Sequence, residues 1–343
     1  MAHVTEKYDE HILTIENAKK LIDKIVKESD FTIIKKLFMG KLYDNDKIGT
    51  LIYEGIWKKK KTVLKAQFIN PETEEAKIIK DFNNQNKSEL VRVAEIYKHE
   101  PYSDKNGYGY MIMEHIDAPP IFEGLASKED IKLFIKFYKD YQNNCINEPF
   151  VERQWHEKNA FLNTFLRIAN WSKIALQKKD LKLKQIGQSS RFLIKMLLSN
   201  KDNTMSFMHS HLTSDDIKKV SENELILMSQ MFWEHRPKYY DTTFHLWMTI
   251  KSMRDLHFTS KQAIDYSELW KENYKKIPQI KNDPNFDQLF ALNMTERSIG
   301  ALLIDIENQE YSNSETAEQE KKHLKKIFED IFNFYIKEMD TKN

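Results

Sequence analysis

At 343 residues, 41% of them apolar and 12% aromatic, the chain is long enough for two lobes and can bury a sizeable core, which excludes general disorder. Its 53 basic and 52 acidic residues leave a net charge of +1, so no whole-chain pull toward nucleic acid or anionic membrane is expected. The lone Cys145 excludes an internal disulfide, residues 1–7 are polar without an apolar signal core, and nowhere do about 18 apolar residues run together. A cytoplasmic protein with neither a membrane nor a nucleic-acid partner is therefore expected. Only 8 Gly and 8 Pro argue against long flexible linkers and a glycine-rich phosphate loop.

In chain order, residues 17–28 predict an amphipathic helix with Ala18, Leu21, Ile22 and Ile25 on one face. Strands are predicted at 31–38, 50–57 and 62–68. The Lys58-Lys59-Lys60-Lys61 block between the last two reads first as a solvated hairpin turn, and otherwise as a polyanion-binding tip. Pro71 with Glu72, Glu74 and Glu75 suits a helix first turn, continued by Ile78, Ile79 and Phe82. Strands at 91–97 and 109–115 flank the polar turn 103–107.

Pro119-Pro120 cannot lie inside a helix and marks a lobe boundary. Beyond it Ser127 predicts a cap, with Asp130 where a capping box prefers Glu, followed by the stripe Ile131, Phe134, Ile135, Tyr138 and Tyr141. Further helices are predicted at 159–176, 189–198, 241–253, 265–276, 285–307 and 314–339. Short strands at 206–209 and 224–231 interrupt them, and 308–318 reads as an exposed connection. There is no internal repeat.

The most telling stretch is His209-Ser210-His211-Leu212-Thr213-Ser214-Asp215-Asp216, followed by the strand-like run to Met231 and by Tyr239-Tyr240-Asp241-Thr242-Thr243. This layout resembles the aminoglycoside phosphotransferase and choline kinase family. There a His-Gly-Asp-Leu-x-x-x-Asn loop precedes a strand ending Ile-Asp-Trp-Glu and a helix opened by Tyr-Asp-Leu-Ala. The resemblance covers about 31–247 in order and spacing, with few exact motif matches. It puts His211 at the place of the catalytic Asp, Asp216 at that of the metal-binding Asn, and Ser229 at that of the metal-binding Asp. It also gives Asp241 a structural role, accepting main-chain NH groups of the loop and starting the helix. The implied fold is α+β and two-lobed, of protein-kinase-like type. A small mixed lobe with an antiparallel sheet takes residues 1–117, and a large, mainly helical lobe takes 118–343.

A kinase needs a strand lysine to hold the nucleotide phosphates and a helix carboxylate to orient it. The resemblance carries the first to Lys65 and the second to Glu75, with Glu74 as the alternative. From the residues alone, Lys65 points outward with the other strand lysines about as readily. Residues 110–117 take the place of the adenine-binding hinge, with Glu114 and Ile116 as nucleotide-binding positions, although Met111 and Met113 serve equally as core fillers. The connection 39–49 holds only Gly40 and Gly49, so it reads as a plain hairpin unless Lys41 or Lys47 acts as a point charge.

His211 can accept a proton at neutral pH, but Ser229 is a poor magnesium ligand, which leaves Asp216, helped by Asp215 or Glu234. The leading expectation is thus a pseudokinase. It binds ATP or another nucleotide, a small molecule or a protein partner, with little or no phosphotransfer and little use for magnesium. The alternative is an atypical small-molecule kinase using His211 or Asp215. A third reading is a metal-dependent enzyme, because His209-x-His211 sets two imidazoles on one face, with Asp215, Asp216, His235 and His245 further along. No hydrolase elbow, Walker loop or dinucleotide fingerprint is present.

Overall fold

The computed structural model describes residues 14–41, 48–151, 159–199, 204–309, 311 and 315–339. Residues 1–7, Lys47 and most of the 39–49 connection therefore lie outside the described residues, as does the side chain of Lys41. Two compact units divide the chain: one holds the described residues up to Pro119 together with Lys218–Met231, the other Pro120–Ile217 and Phe232 onward.

The first unit opens with α1 (Ile15–Ser29), capped by Thr14, whose side chain accepts from Asn17 N. The apolar stripe Ala18, Ile22 and Ile25 is fully buried on a five-stranded antiparallel sheet. That sheet contains β1 (Phe31–Lys41), β2 (Ile48–Trp57) and β3 (Lys60–Gln67). A helix, α2 (Glu75–Gln85), and a two-residue strand, β4 (Val91–Arg92), precede β5 (Ile96–Ser103) and β6 (Tyr108–Glu114). The spatial order is β1-β2-β3-β6-β5. Along β3, Thr62, Leu64 and Ala66 are buried, and Leu64 and Ala66 join the core under α1; Val63, Lys65 and Gln67 point to the other face. Truncating one such core residue, Ile25→Ala, costs about 2–5 kcal/mol.

Two expectations here are corrected. The helix predicted from Pro71 begins only at Glu75, because the Glu74 carboxylate is drawn to Tyr102 N and His99 and the chain turns into the helix after it. The strand predicted at 91–97 is split between two sheets: the two-residue β4 pairs in parallel with a later strand, and the eight-residue β5, from Ile96, joins the main sheet.

The remaining elements are α3 (Lys128–Asp140), α4 (Ala160–Gln177), α5 (Leu183–Ser199), β7 (Met205–His209), β8 (Ile217–Ser221), β9 (Glu224–Leu227) and β10 (Trp233–Pro237). Then come α6 (Tyr240–Ser252), α7 (Ser260–Tyr274), the one-turn α8 (Pro278–Lys281), α9 (Phe286–Gly300) and α10 (Ala317–Glu338). β9 and all but the first residue of β8 belong to the first unit, where Val91 and Arg92 pair with Leu225 and Ile226. In the second unit β7 and β10 form an antiparallel pair set among helices.

The Ser127 cap closes a full capping box with Asp130, the shorter acid serving as well as Glu. The strand predicted at 224–231 stops at Leu227. Gln230 then folds its amide back onto Leu227 O and Met228 O, and Ser229 takes a left-handed φ of 59°. The strand Trp233–Pro237 went unpredicted because its charges hide the alternation. Among the described residues no helix is long and apolar enough to cross a membrane.

Candidate functional site

In the first unit, Lys65 stands at the centre of the sheet, opposite Ile52 on β2 and Met111 on β6. Its ammonium is ion-paired with Glu75, the first residue of α2, and both side chains are mostly buried. Of the two acids weighed, Glu75 makes the pair; Glu74 accepts from Tyr102 N at 2.9 Å and lies 3.4 Å from His99. Lys65 does not splay outward. It lines a hollow of about 20 Å³ with Gln67, Glu74, Glu75, His99 and Met111, room for a water-sized group.

Beside Lys65 on the same strand face, Val63 packs with Ile96 and Ile116 on buried Ala94, Met111 and Met113. This is an apolar floor next to a positive charge. Glu114, at the end of β6, is gripped by Arg92 in a fork of 2.7 and 2.9 Å and accepts Glu95 N at 3.2 Å. Burial raises its pKa, but the Arg92 bonds outweigh that and hold it below the usual carboxylate range. The Glu114 side chain is thus committed to Arg92, which also holds Glu224 on β9 at 2.8 Å.

Glu54, on β2, carried no signal in the sequence. It lies opposite Val63 and is met by Lys35 at 3.3 Å, Lys61 at 3.2 Å and His115 at 3.2 Å. Desolvation raises its pKa, but hydrogen bonds from Lys61, Lys35 and His115 bring it down. Lys61, one of the four-lysine block, is therefore partnered. Lys58 lies over the Trp57 ring at 4.3 Å and Lys60 over Tyr97 at 5.5 Å.

In the second unit the loop after β7 is built around Asp216. Its Oδ2 accepts from Thr213 Oγ1 at 2.6 Å and Thr213 N at 3.3 Å, and lies 3.0 Å from His211 Nδ1. Thr213 Oγ1 in turn accepts Asp216 N at 3.2 Å. The His211 ring stacks on Phe232, 4.4 Å between centroids and 20° from parallel, and is flanked by Phe244. A carboxylate on Nδ1 favours the tautomer with its proton there, which turns Nε2 into the acceptor.

Ser210, where the family has Gly, donates to Phe232 O and to Glu234. Glu234 also takes Arg236 Nε at 2.8 Å and lies 2.6 Å from its terminal nitrogen. Of the two helper carboxylates expected, Asp215 is exposed, and Glu234 bonds Ser210 and Arg236 through Oε1. A third charged pair lies nearby, Arg167 with the fully buried Glu296 at 2.7 Å, an angle poor for a hydrogen bond, while Arg167 donates to Tyr240 Oη at 2.7 Å.

The role expected of Asp241 is taken in part by a tyrosine. His209 N donates to Tyr141 Oη at 2.7 Å, and Asp241 is bonded by Tyr138 Oη at 2.9 Å and Gln142 at 3.2 Å. Both tyrosines lie on or just beyond α3, so its inward stripe carries the polar support of the loop. Burial pushes the Asp241 carboxyl up to about 7, only partly offset by the bonds from Tyr138 and the helix start. His245, one turn on, donates to or accepts from Tyr274 Oη at 2.7 Å, and burial depresses it to about 3.

Among the described residues no three His, Cys, Asp or Glu side chains group as metal ligands. His209 is buried edge-on against Trp233, and His245 packs between Phe134 and Trp270. The six residues singled out in the sequence thus fall into two sets, Lys65, Glu75, Glu114 and Ile116 in one unit and His211 with Asp216 in the other.

No protein-family model matches the chain, and no curated protein sequence does. Solved structures do. Aminoglycoside phosphotransferase APH(4)-Ia superposes with a TM-score of 0.57 at 9% identity, covering 91% of this chain and 99% of its own. Amicoumacin kinase in complex with AMP-PNP, Ca2+ and its antibiotic gives 0.51 at 11% identity, covering 91% and 96%. Spectinomycin phosphotransferase APH(9)-Ia, in complex with ADP and spectinomycin, gives 0.50 at 11% identity, covering 92% and 97%. At such identities the likeness is one of fold. The chain has the aminoglycoside-phosphotransferase form of the protein-kinase-like fold, as the loop layout implied.

Proposed function

We propose that this protein is a nucleotide-binding pseudokinase of aminoglycoside-phosphotransferase type, cytoplasmic, with little or no phosphotransfer. The observation that carries the reading is the bonding of Asp216. At the position of a metal-binding Asn, its Oδ2 is occupied by His211 and both polar groups of Thr213. Ser229, at the second metal position, offers no charge, and Glu234 is neutralised by Arg236. The residues present do not suit magnesium, which needs anionic oxygens free to face the phosphates. Nucleotide binding is supported by the Lys65–Glu75 pair and by the apolar floor of Val63, Met111, Met113 and Ile116. In this reading Lys65 meets phosphate, Glu75 fixes Lys65, and the main chain at Glu114 and Ile116 serves the base, because the Glu114 side chain is tied to Arg92. Residues 1–117 form the nucleotide lobe and 118–343 the lobe for a small-molecule or protein partner.

One observation favours a second reading. His211 and Asp216 form a base–orienter dyad, the arrangement by which an imidazole is held to accept a hydroxyl proton at Nε2. In that reading the protein is an atypical small-molecule kinase.

Thermal unfolding with ATP or GTP, with and without magnesium, tests the first reading together with a turnover assay against amino-alcohol, sugar and aminoglycoside acceptors. The pseudokinase reading expects stabilisation by nucleotide alone and no turnover. Robust turnover lost in His211→Ala overturns it in favour of the second.

A further inference from the structure

We infer that the α4–α5 hairpin is a docking face for an anionic membrane surface. The two helices are joined by the turn 178–182, which closes with Lys178 N on Ile174 O and Asp180 N on Ala175 O, Lys179 taking a φ of 62°. Each helix is seated in the unit by one face. On α4 that face is Ala160, Thr164, Ile168, Trp171 and Ala175; on α5 it is Ser189, Phe192 and Met196.

The opposite faces are apolar as well. Along α4, Leu162, Phe165, Leu166, Ala169 and Leu176 follow each other at helical spacing on the outer side. Along α5, Leu183 and Leu198 are 87% and 81% exposed, with Ile194 and Leu197 between them. Nine of the sixteen large apolar side chains exposed among the described residues lie on these two helices. Singly exposed leucines are ordinary; apolar outer stripes on two helices joined by a short turn mark an interaction surface.

The charge on this face selects the occupant. Residues 160–199 hold eight basic side chains and one acid, Asp180, whereas the rest of the chain holds 45 basic and 51 acidic residues. The whole-chain balance of +1 hides this asymmetry. Neither helix contains an Asp or Glu. Some of the bases are tied inward, Arg167 to Glu296 and Lys184 to Glu329. Lys173 and Arg191 sit on the outer faces, Lys179 at the turn, and none of the three makes an ion pair among the described residues.

A second copy fits poorly, because pairing two such faces buries cations against cations with no acid to compensate. A protein partner fits less well than lipid. Lysine is depleted from protein interfaces, and leucine is under-represented among the residues that anchor them. An anionic bilayer takes both features together: aliphatic side chains enter the acyl boundary while lysine and arginine stems reach back to the headgroups.

Co-sedimentation of the full chain with vesicles of phosphatidylcholine, alone or with phosphatidylglycerol added, tests the assignment. The expected result is a bound fraction at least about tenfold higher on the anionic vesicles, falling as salt screens the headgroups. Leu197→Ser with Leu198→Ser should abolish binding, and Lys173→Glu with Arg191→Glu should reduce it by about tenfold or more. All four positions are exposed or outward-facing, so melting temperatures should hold. If the leucine variant loses its melting transition, the charge variant, which removes no apolar side chain, decides. Equal binding to neutral vesicles, no binding to either kind, or binding indifferent to the charge variant overturns the inference. So does a vesicle-blind dimer that falls apart in the leucine variant, which assigns the face to a second copy. None of these readouts involves nucleotide, so the outcome is separate from that of the proposed function.

Discussion

The Lys65–Glu75 pair of the first unit and the loop around His211 in the second differ in how their polar groups are bonded. Lys65 and Glu75 keep the cation–carboxylate pair that a kinase uses to hold phosphates. Around His211 the polar groups bond one another: Asp216 with His211 and Thr213, Ser210 with Glu234, Glu234 with Arg236. Buried polar groups left unbonded each cost about 1–3 kcal/mol, so a loop that changes its acids must rebuild its bonds to stay folded. The first is a single pair, whereas the second is a network of shared acceptors.

The largest expected effect is structural. Arg167→Met leaves Glu296 as an uncompensated buried charge and should cost about 3–5 kcal/mol in chemical denaturation. A loss below about 1 kcal/mol shows that this pair contributes little to the stability of the loop's surroundings.

The comparison itself is sharpened by nucleotide. At a hundredfold excess over its dissociation constant, ATP should stabilise the wild type by about 2.7 kcal/mol. Lys65→Ala should remove that gain, and His211→Ala should leave it whole. The reverse pattern breaks the division between a kept and a rebuilt site. Magnesium should change the gain by less than about 0.5 kcal/mol, a change in dissociation constant of under about threefold. A larger gain means that carboxylates other than Asp216 have assembled a metal site.

Asp216→Ala should cost about 1–3 kcal/mol, since it strips Thr213 and His211 of their common acceptor. Thr213→Val should cost less, because Asp216 keeps two of its donors.

The smallest net effect, in the wild type, is one of pH. Asp241, raised to about 7 in the fold, binds a proton there that the unfolded chain has already lost above its ordinary value of 3.8, so its contribution to stability falls as pH rises through that window. His245, lowered to about 3, does the reverse: the unfolded chain takes up a proton below 6.5 that the fold refuses, so stability rises with pH between about 3 and 6.5. Where the windows overlap the two slopes, each about 1.4 kcal/mol per pH unit at most, nearly cancel. Asp241→Asn should therefore expose a net rise in stability from pH 4 to 6.5, and a flat profile in that variant shows that His245 does not carry the opposing slope.

Periodicity made most of the elements legible. The stripe Ala18, Ile22, Ile25 and the alternation along residues 62–67 carry enough apolar signal to set helix and strand before any contact is known. Order along the chain carried the fold. The candidates in the first unit were legible for a related reason, since Lys65 amid apolar strand residues and Glu75 in a helix first turn are local features. What alternation left open was which side of the sheet Lys65 faces, and that followed from α1 covering the other side.

Glu54 gave no signal, and Tyr141 was legible only as part of an apolar stripe. Both matter through partners far along the chain, His115 for Glu54 and His209 for Tyr141, and spacing does not encode such pairings. Arg236 sits in a strand whose charged residues disguise its period. The end of the strand at Leu227 was missed because the Gln230 amide competes for Leu227 O and Met228 O, a bond that apolar pattern does not register.

By itself, then, the sequence determined an α+β chain with a kinase-like succession of elements, because propensity and apolar spacing act over a few residues and survive any packing. Tertiary structure decided which acid pairs with Lys65, that Asp216 is spent on His211 and Thr213, and that two helices turn apolar faces outward. Those outcomes depend on what lies across space from each side chain, where desolvation and hydrogen-bond partners, rather than local preference, fix the energy.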